Sequence, residues 1–393
     1  MNAAAGSQTR VIRFAAGLIG FCAFLNLYSP QAILPLLSHE FGATAKDIAT
    51  IMTASTLAVA LIAPFSGTVA DVVGRKRIIV TAMLVLAIPT VFSALVSSLH
   101  ALIIWRFLQG LVMPPVFAVT VAYIGEELSP KEATSVTGVY TSGSSLGGFT
   151  GRLLTGALAD AVNWRFGMIC LAAMTVVGAG IVGVLLPRER RFVKSTGLLA
   201  SGRQMLLHFR NPQLIATYAV GFGVLFNFIA TFTFISFRLA APPYSLSPTL
   251  LGLIFVTYLT GTAVTPLTGR FVGRFGRRSF VLTVIGIWIV GIALTLLQPI
   301  WLILVGLSMS ACCGMLCQAV STGYVAITAQ AGRSSAVGLY VTSFYLGGSF
   351  GAAVGGYVWT FGGWPACVAM IAAMLAIMGT IVALTWRTTA PQR

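Results

Sequence analysis

Two arginines, Arg106 and Arg152, stand inside apolar runs long enough to cross a membrane. A guanidinium at the centre of a bilayer costs about 2.5–3.5 kcal/mol on insertion scales, so it normally faces a cavity or a partner. Arg106 lies six residues inside His100, roughly 9 Å along a helix, and Arg152 lies twenty residues beyond Glu132, roughly 30 Å. Both arginines therefore belong in the same outer part of the membrane, on consecutive helices. One reading makes them a positive patch that meets an anionic group on a ligand or couples to a proton. The other has them bonded to carbonyls that the glycine-rich fifth span exposes, or snorkelling outward.

The acids are scarcer still: Glu40, Asp47, Asp71, Glu126, Glu127, Glu132, Asp160 and Glu189. All fall in loops or at span ends, so no exchangeable carboxylate is visible inside the membrane. Glu126 and Glu127 close the fourth span and are the acids placed to take part in proton coupling, together with Arg106. A surface collar explains the two glutamates as well. Polar and aromatic residues within spans form the candidate lining of an amphipathic cavity: Asn26, Tyr28, Gln31, Gln109, Asn227, Tyr258, Gln318, Tyr324, Tyr340 and Tyr345. Each of them could instead hold helices together by hydrogen bonds. Pro30 and Pro35 in the first span, and Pro114 and Pro115 in the fourth, are expected to interrupt their helices.

These residues need helices to hold them. The chain is 57% hydrophobic and 8% charged, with a mean hydropathy of +0.94. Soluble domains carry about a quarter charged residues, so this composition belongs to an integral membrane protein. Its apolar runs have helix length, which argues against a barrel of alternating strands. Twelve spans are expected near 11–37, 46–70, 78–98, 101–125, 132–160, 164–186, 213–238, 247–269, 279–298, 300–328, 334–360 and 363–386. Residues 187–212 form a polar, basic linker between an N-terminal half (1–186) and a C-terminal half (213–393). Ser129, Pro130 and Glu132 make a capping box with proline at the first helical position, a clear helix start.

The net charge of +16 suggests nucleic acid until the cations are placed. Lys46, Arg165 and Arg238 alone fall on one side of the twelve spans, and Arg106 and Arg152 within them. The remaining lysines and arginines fall on the side of both termini. That bias is the positive-inside rule and puts both termini in the cytoplasm, so no nucleic-acid partner is expected. The cysteines, including Cys312, Cys313 and Cys317, sit in apolar spans with no His or acid beside them, so neither a disulfide frame nor a metal site is expected. No cofactor is expected either.

Gly67 to Arg77 joins the second and third spans and changes from helix-packing chemistry to charge chemistry within one short loop. Gly67 and Ala70 permit close helix approach, Asp71 is an isolated acid, and Gly74 can take a positive φ at a turn. Arg75, Lys76 and Arg77 follow as three cations at the membrane surface. The loop recurs from Gly269 to Arg278, with Gly273 where Asp71 stands. Gly147, Gly148, Gly151, Gly156 and Trp164 likewise recur at Gly347, Gly348, Gly351, Gly356 and Trp364, and Asn26 recurs at Asn227. Two six-helix halves related by a parallel repeat form an alternating-access architecture.

Across nearly its full length the chain resembles the major facilitator superfamily. The Gly67–Arg77 loop is similar to that superfamily's motif A, and Arg106-Phe107-Leu108-Gln109-Gly110 to its motif B. The ladder Gly143, Gly147, Gly148, Gly151 and Gly156 resembles the antiporter motif C and implies tight helix packing, although the usual Gly-Pro step is missing. With Tyr28-Ser29-Pro30-Gln31, these features resemble the YnfM-type, acriflavine-sensitivity branch of drug transporters. The resemblance implies an all-α membrane protein of twelve helices in two pseudo-symmetric halves. It further implies proton-coupled efflux of amphipathic organic compounds across a bacterial inner membrane, with a monomer as the working unit in the lipid bilayer. Uptake or exchange of a small polar or anionic solute is the alternative, in keeping with the missing cavity acid. In the family the counterpart of Asp71 acts in a latch between the halves. The expected gating residues are thus Gly67, Asp71, Gly74, Arg75, Lys76 and Arg77. An enzyme is not expected, because no HExxH, paired intramembrane carboxylates or Ser/His/Asp set occurs.

Overall fold

A computed structural model describes residues 2–66, 74–189, 205–329 and 332–386. Gly67 and Asp71 of the first basic loop lie outside the described residues. The described chain is helical throughout, in the order α1 (Asn2–Leu27), α2 (Leu34–Glu40), α3 (Ala45–Ile62), α4 (Arg75–Leu95), α5 (Leu99–Glu127), α6 (Pro130–Ala161) and α7 (Trp164–Leu185). The second half follows as α8 (Pro212–Ala240), α9 (Pro248–Ile254), α10 (Thr257–Val264), α11 (Thr268–Phe275), α12 (Arg277–Leu294), α13 (Ile300–Thr328) and α14 (Arg333–Thr385).

Ten helical stretches are long and apolar enough to cross a membrane among the described residues. Twelve passages follow from two facts. The stretch in α14 contains Gly362 and Gly363 with non-helical backbone, which separate two crossings. Helix α6 has 32 residues, enough to cross, but its glycines, serines and threonines keep it less apolar than the other spans. The outer surface is fatty as a bilayer requires: Val184 is 83% exposed and Leu384 81%.

Proline explains most of the irregular backbone. The first span stops at Leu27, turns through a 3-10 segment at Ser29–Ala32 and resumes as α2. The second span tightens into 3-10 form at Ala63–Phe65, around Pro64, and the eighth at Thr265–Leu267, around Pro266. These prolines are repeat-related, and so are Gly74 (φ 102°) and Gly276 (φ 74°), each of which precedes the next helix with a backbone that only glycine adopts readily. Pro114 and Pro115 do not interrupt the fourth span. Helix α5 runs through both, with α3 and α4 packed along it, and a proline inside a helix can be tolerated when neighbouring helices support it.

The glycine ladder places α1 directly on α6. A Cβ on Gly143, Gly147 or Gly151 would run into the backbone carbonyls of Gly17, Phe21 and Leu25 respectively. The two ladders therefore mesh at four-residue intervals, the small-residue packing that substitutes for hydrophobic drive within lipid. Gly347 and Gly351 of α14 meet Phe222 and Phe226 of α8 in the same way. Gly156 belongs to neither ladder, because its Cβ would meet the Pro248 carbonyl of the opposite half. The Ser129–Glu132 capping box is formed, with Ser129 Oγ donating to Glu132 Oε2 at 2.6 Å.

Candidate functional site between the halves

The expected lining residues separate into distinct groups. The first is a closed polar network inside the N-terminal half. Pro30 has no N–H to reach the carbonyl of Asn26 four residues earlier. The N–H of Gln31 turns to Tyr28, so the Leu27 carbonyl also loses its helical donor. Arg106 reaches both: Nη1 donates to the Asn26 carbonyl at 3.1 Å, which also accepts from Ser29 Oγ at 3.0 Å, and Nη2 donates to that of Leu27. Its Nη1 also reaches Gln109 Oε1. Gln109 Nε2 donates to Thr90 Oγ1 at 2.6 Å, Thr90 to Asn26 Oδ1 at 3.1 Å, and Asn26 Nδ2 to Thr175 Oγ1 at 2.8 Å.

Asn26, Thr90, Arg106, Gln109 and Thr175 all have zero exposure. The network thus ties α1, α4, α5 and α7 around a proline break, and all of these partners belong to the first half. Arg106 does meet carbonyls, but those of the first helix rather than those of the glycine-rich span. In the second half Asn227 Nδ2 contacts Met378 Sδ at 3.4 Å, its one partner among the described residues. That half has no arginine at the corresponding place, and its first helix, α8, needs none because it runs unbroken.

The second group lies where the halves meet. Arg152 Nε and Nη2 both donate to Gln31 Oε1, at 2.8 and 2.6 Å, and Nη1 donates to the Gly148 carbonyl at 2.7 Å. Three rings enclose the guanidinium: Phe255 at 4.3 Å, and Tyr28 and Tyr258 each at 4.9 Å from their centroids. Such contacts are worth about 2 kcal/mol or more when desolvated. Gln31 Nε2 in turn donates to Thr233 Oγ1 of α8 at 3.3 Å, a bond across the halves. The hydroxyls of Tyr28 and Tyr345 come together, and Phe117 stacks on Tyr345 at 5.8 Å. Tyr28, Gln31, Arg152, Tyr258 and Tyr345 therefore form one site, with Phe255, Thr233 and Phe117 added to those expected. The sequence did carry a signal for Phe255, which sits three residues before Tyr258.

Other expected lining residues go elsewhere. Gln318 is exposed. Tyr324 packs tilted against Trp386 at 4.7 Å, with Arg277 over its ring at 4.8 Å, at the face where the last helix ends. Tyr340 packs over Gly221 of α8.

Contacts between the halves flank the site. On the face away from the chain termini, α9 lies against α6, and Asp160 Oδ2 accepts from the Thr249 N–H at 2.8 Å and from its hydroxyl. Lys46 covers the Tyr357 ring at 4.2 Å. Midway, Ser349 Oγ donates to the Thr53 carbonyl at 3.1 Å. Towards the termini the described residues of the halves also meet: α14 lies against Ala63–Phe65, and a Cβ on Gly338 would stand 3.8 Å from the Pro64 Cα.

At the termini face Arg75 is 6% exposed rather than lying on the surface. Its Nε and Nη2 grip both oxygens of Glu126, at 3.0 and 2.6 Å. Lys76 donates its backbone N–H to Glu189 Oε2 at 3.3 Å, which places a carboxylate at the positive end of α4. Arg77 is exposed and Glu127 half-buried. Glu126→Gln should keep one bond to Arg75 but lose the charge pairing, lowering stability by about 1–3 kcal/mol. Thermal unfolding in detergent checks this, and an unchanged midpoint would mean that the pair contributes nothing.

The description "Major Facilitator Superfamily" belongs to the family model that matches residues 16–241 and 220–393. The inner membrane transport protein YnfM of Escherichia coli (strain K12) is 34% identical over 93% of this chain and 87% of its own length. The uncharacterized MFS-type transporter YybF of Bacillus subtilis (strain 168) is 28% identical over 94% and 91%. Among solved structures, a mutant of the nucleoside transporter NupG superposes with a TM-score of 0.79 at 15% identity, covering 96% of this chain and all of that one. A bacterial homolog of the human lysosomal transporter Spinster, inward-facing and occupied, gives 0.75 at 16% identity over 96% and 97%. At these identities the solved structures establish the fold alone.

Proposed function

Because the chain belongs to the Major Facilitator Superfamily, we propose that it is a secondary-active transporter whose halves rock about the Arg152–Gln31–Tyr258 site. The cargo is an amphipathic organic compound, carried outward across the bacterial inner membrane in exchange for protons. One observation carries this reading: a mixed aromatic and polar site lies where the two halves meet, and contacts between the halves seal it on the face away from the termini. Both termini are cytoplasmic by the positive-inside bias. The face where α6 meets α9 is then the outer one. For the proton, Glu126 is the first candidate, since protonating it removes the charge that holds Arg75.

Uptake or exchange of a small polar or anionic solute is the second reading. It is favoured by an interior that holds Arg106 and Arg152, while the described acids Glu40, Asp47, Glu126, Glu127, Glu132, Asp160 and Glu189 all lie at helix ends or beyond them. Proteoliposomes loaded with a dye panel that includes acriflavine, with and without a proton gradient, separate the two. Gradient-driven dye movement supports proton-coupled export. Dye movement indifferent to the gradient removes the proton from the proposal, and an inert panel removes amphipathic cargo.

A further inference from the structure

Arg152 is 1% exposed and has no acid against it among the described residues. A guanidinium carries five N–H donors in a planar fork suited to a carboxylate. Here Nε and Nη2, the edge of that fork, converge on the single amide oxygen of Gln31. Gln31 is the neutral analogue of glutamate, so its oxygen occupies the place of a carboxylate oxygen without supplying the charge. It reaches that place from Ser29–Ala32, the 3-10 turn created by Pro30, where the backbone is not committed to a regular helix. Its other end bonds Thr233 of the second half.

From this geometry we infer that Arg152 is the anion subsite of the transport pathway and that Gln31 is its tethered, neutral placeholder. The ligand class is an aromatic organic anion. Its carboxylate takes the Nε/Nη2 fork, and its ring lies among Tyr28, Phe255, Tyr258 and Tyr345. The inference rests on the reading of the chain as a carrier of amphipathic compounds and names the class.

Charge decides against a cation in this position. Two arginines without an intramembrane acid leave the interior positive, and Coulomb forces grow as the dielectric falls. The aromatic faces that would attract an organic cation already hold Arg152. Displacement has a mechanical consequence as well. An arriving carboxylate takes the Gln31 oxygen's place, the side chain swings away, and the Gln31–Thr233 bond between the halves is lost. Ligand binding thereby loosens the sealed side, which is the differential effect on two states that any substrate-driven rearrangement requires.

The test uses anthracene carboxylate, its methyl ester and acriflavine, with binding measured on the full-length protein in detergent and movement measured in proteoliposomes. Wild-type protein should bind the carboxylate at least about tenfold more tightly than the ester, the value of one charge-assisted fork. Arg152→Gln should abolish that preference. Gln31→Glu supplies a tethered carboxylate that fills the fork and should weaken anthracene carboxylate binding about tenfold, whereas Gln31→Ala empties the fork and should tighten it. Equal binding of acid and ester by wild-type protein, or identical behaviour of the two Gln31 variants, overturns the inference even if Arg152→Gln does not fold. If acriflavine alone is bound and moved, the export reading stands and the anion site falls. If the carboxylate binds as expected but nothing moves, the anion site stands and the export reading falls. If nothing binds, the inference is overturned.

Discussion

Arg106→Ala will take transport to background and lower the unfolding midpoint by roughly 5 °C. The carbonyls of Asn26 and Leu27 lose their helical donors to the Pro30 break, and Arg106 serves both. Ser29 Oγ still donates to the Asn26 carbonyl at 3.0 Å, so the Leu27 carbonyl is the buried acceptor left unmade, at about 1–3 kcal/mol. At roughly 2–4 °C per kcal/mol for a unit of this size, that becomes the stated shift. Gln109 loses its partner in the same step, and the chain of bonds through Thr90 to Asn26 slackens. Arg106→Lys should recover only part of the loss, because one ammonium does not span two carbonyls and the Gln109 amide with the geometry of a fork. A midpoint within a degree of wild type for the alanine variant would show that the break at Pro30 needs no capping.

Gly156→Val will change the state of the protein rather than its stability. Its added carbons would meet the Pro248 carbonyl of the opposite half, so they hold α6 and α9 apart at the sealed face. A cysteine introduced at Thr249, in a chain without its native cysteines, should then react with a membrane-impermeant maleimide from the outer side at least about tenfold faster. The unfolding midpoint should move little, because the contact is absent from either half alone. Gly151→Val, five residues earlier on the same helix, makes the opposite case. It drives into the Leu25 carbonyl within the first half, where overpacking typically costs 1–3 kcal/mol, so it should lower the midpoint without favouring one state. Unchanged labelling of the Gly156→Val variant would mean that the outer contact is not a gate.

Much of this molecule follows from local rules. An apolar chain with cations gathered on one side can only be a multi-pass helical protein, and a repeat offset near 200 residues divides it into two halves. Pro30 marks its break, and Gly74 its positive-φ turn, from covalent geometry alone. The sequence also requires that Arg106 and Arg152 have company, because a bare charge is not tolerated in lipid.

Which company each arginine keeps was decided by the tertiary structure. Both have the same charge and similar calculated depth, yet one caps a broken helix inside the first half and the other sits in an aromatic cage between the halves. Pro114 and Pro115 have the same breaking chemistry as Pro30, but the helices beside α5 carry them through. Gly151 and Gly156 are equally small, and only the fold shows that one packs within its half and the other against the opposite half. Hydrophobicity and backbone sterics act over a few residues and are written in order along the chain. A hydrogen bond from Gln31 to Thr233 or a ring face from Phe255 joins residues far apart in sequence, and satisfying a buried polar group fixes that a partner exists without fixing which one.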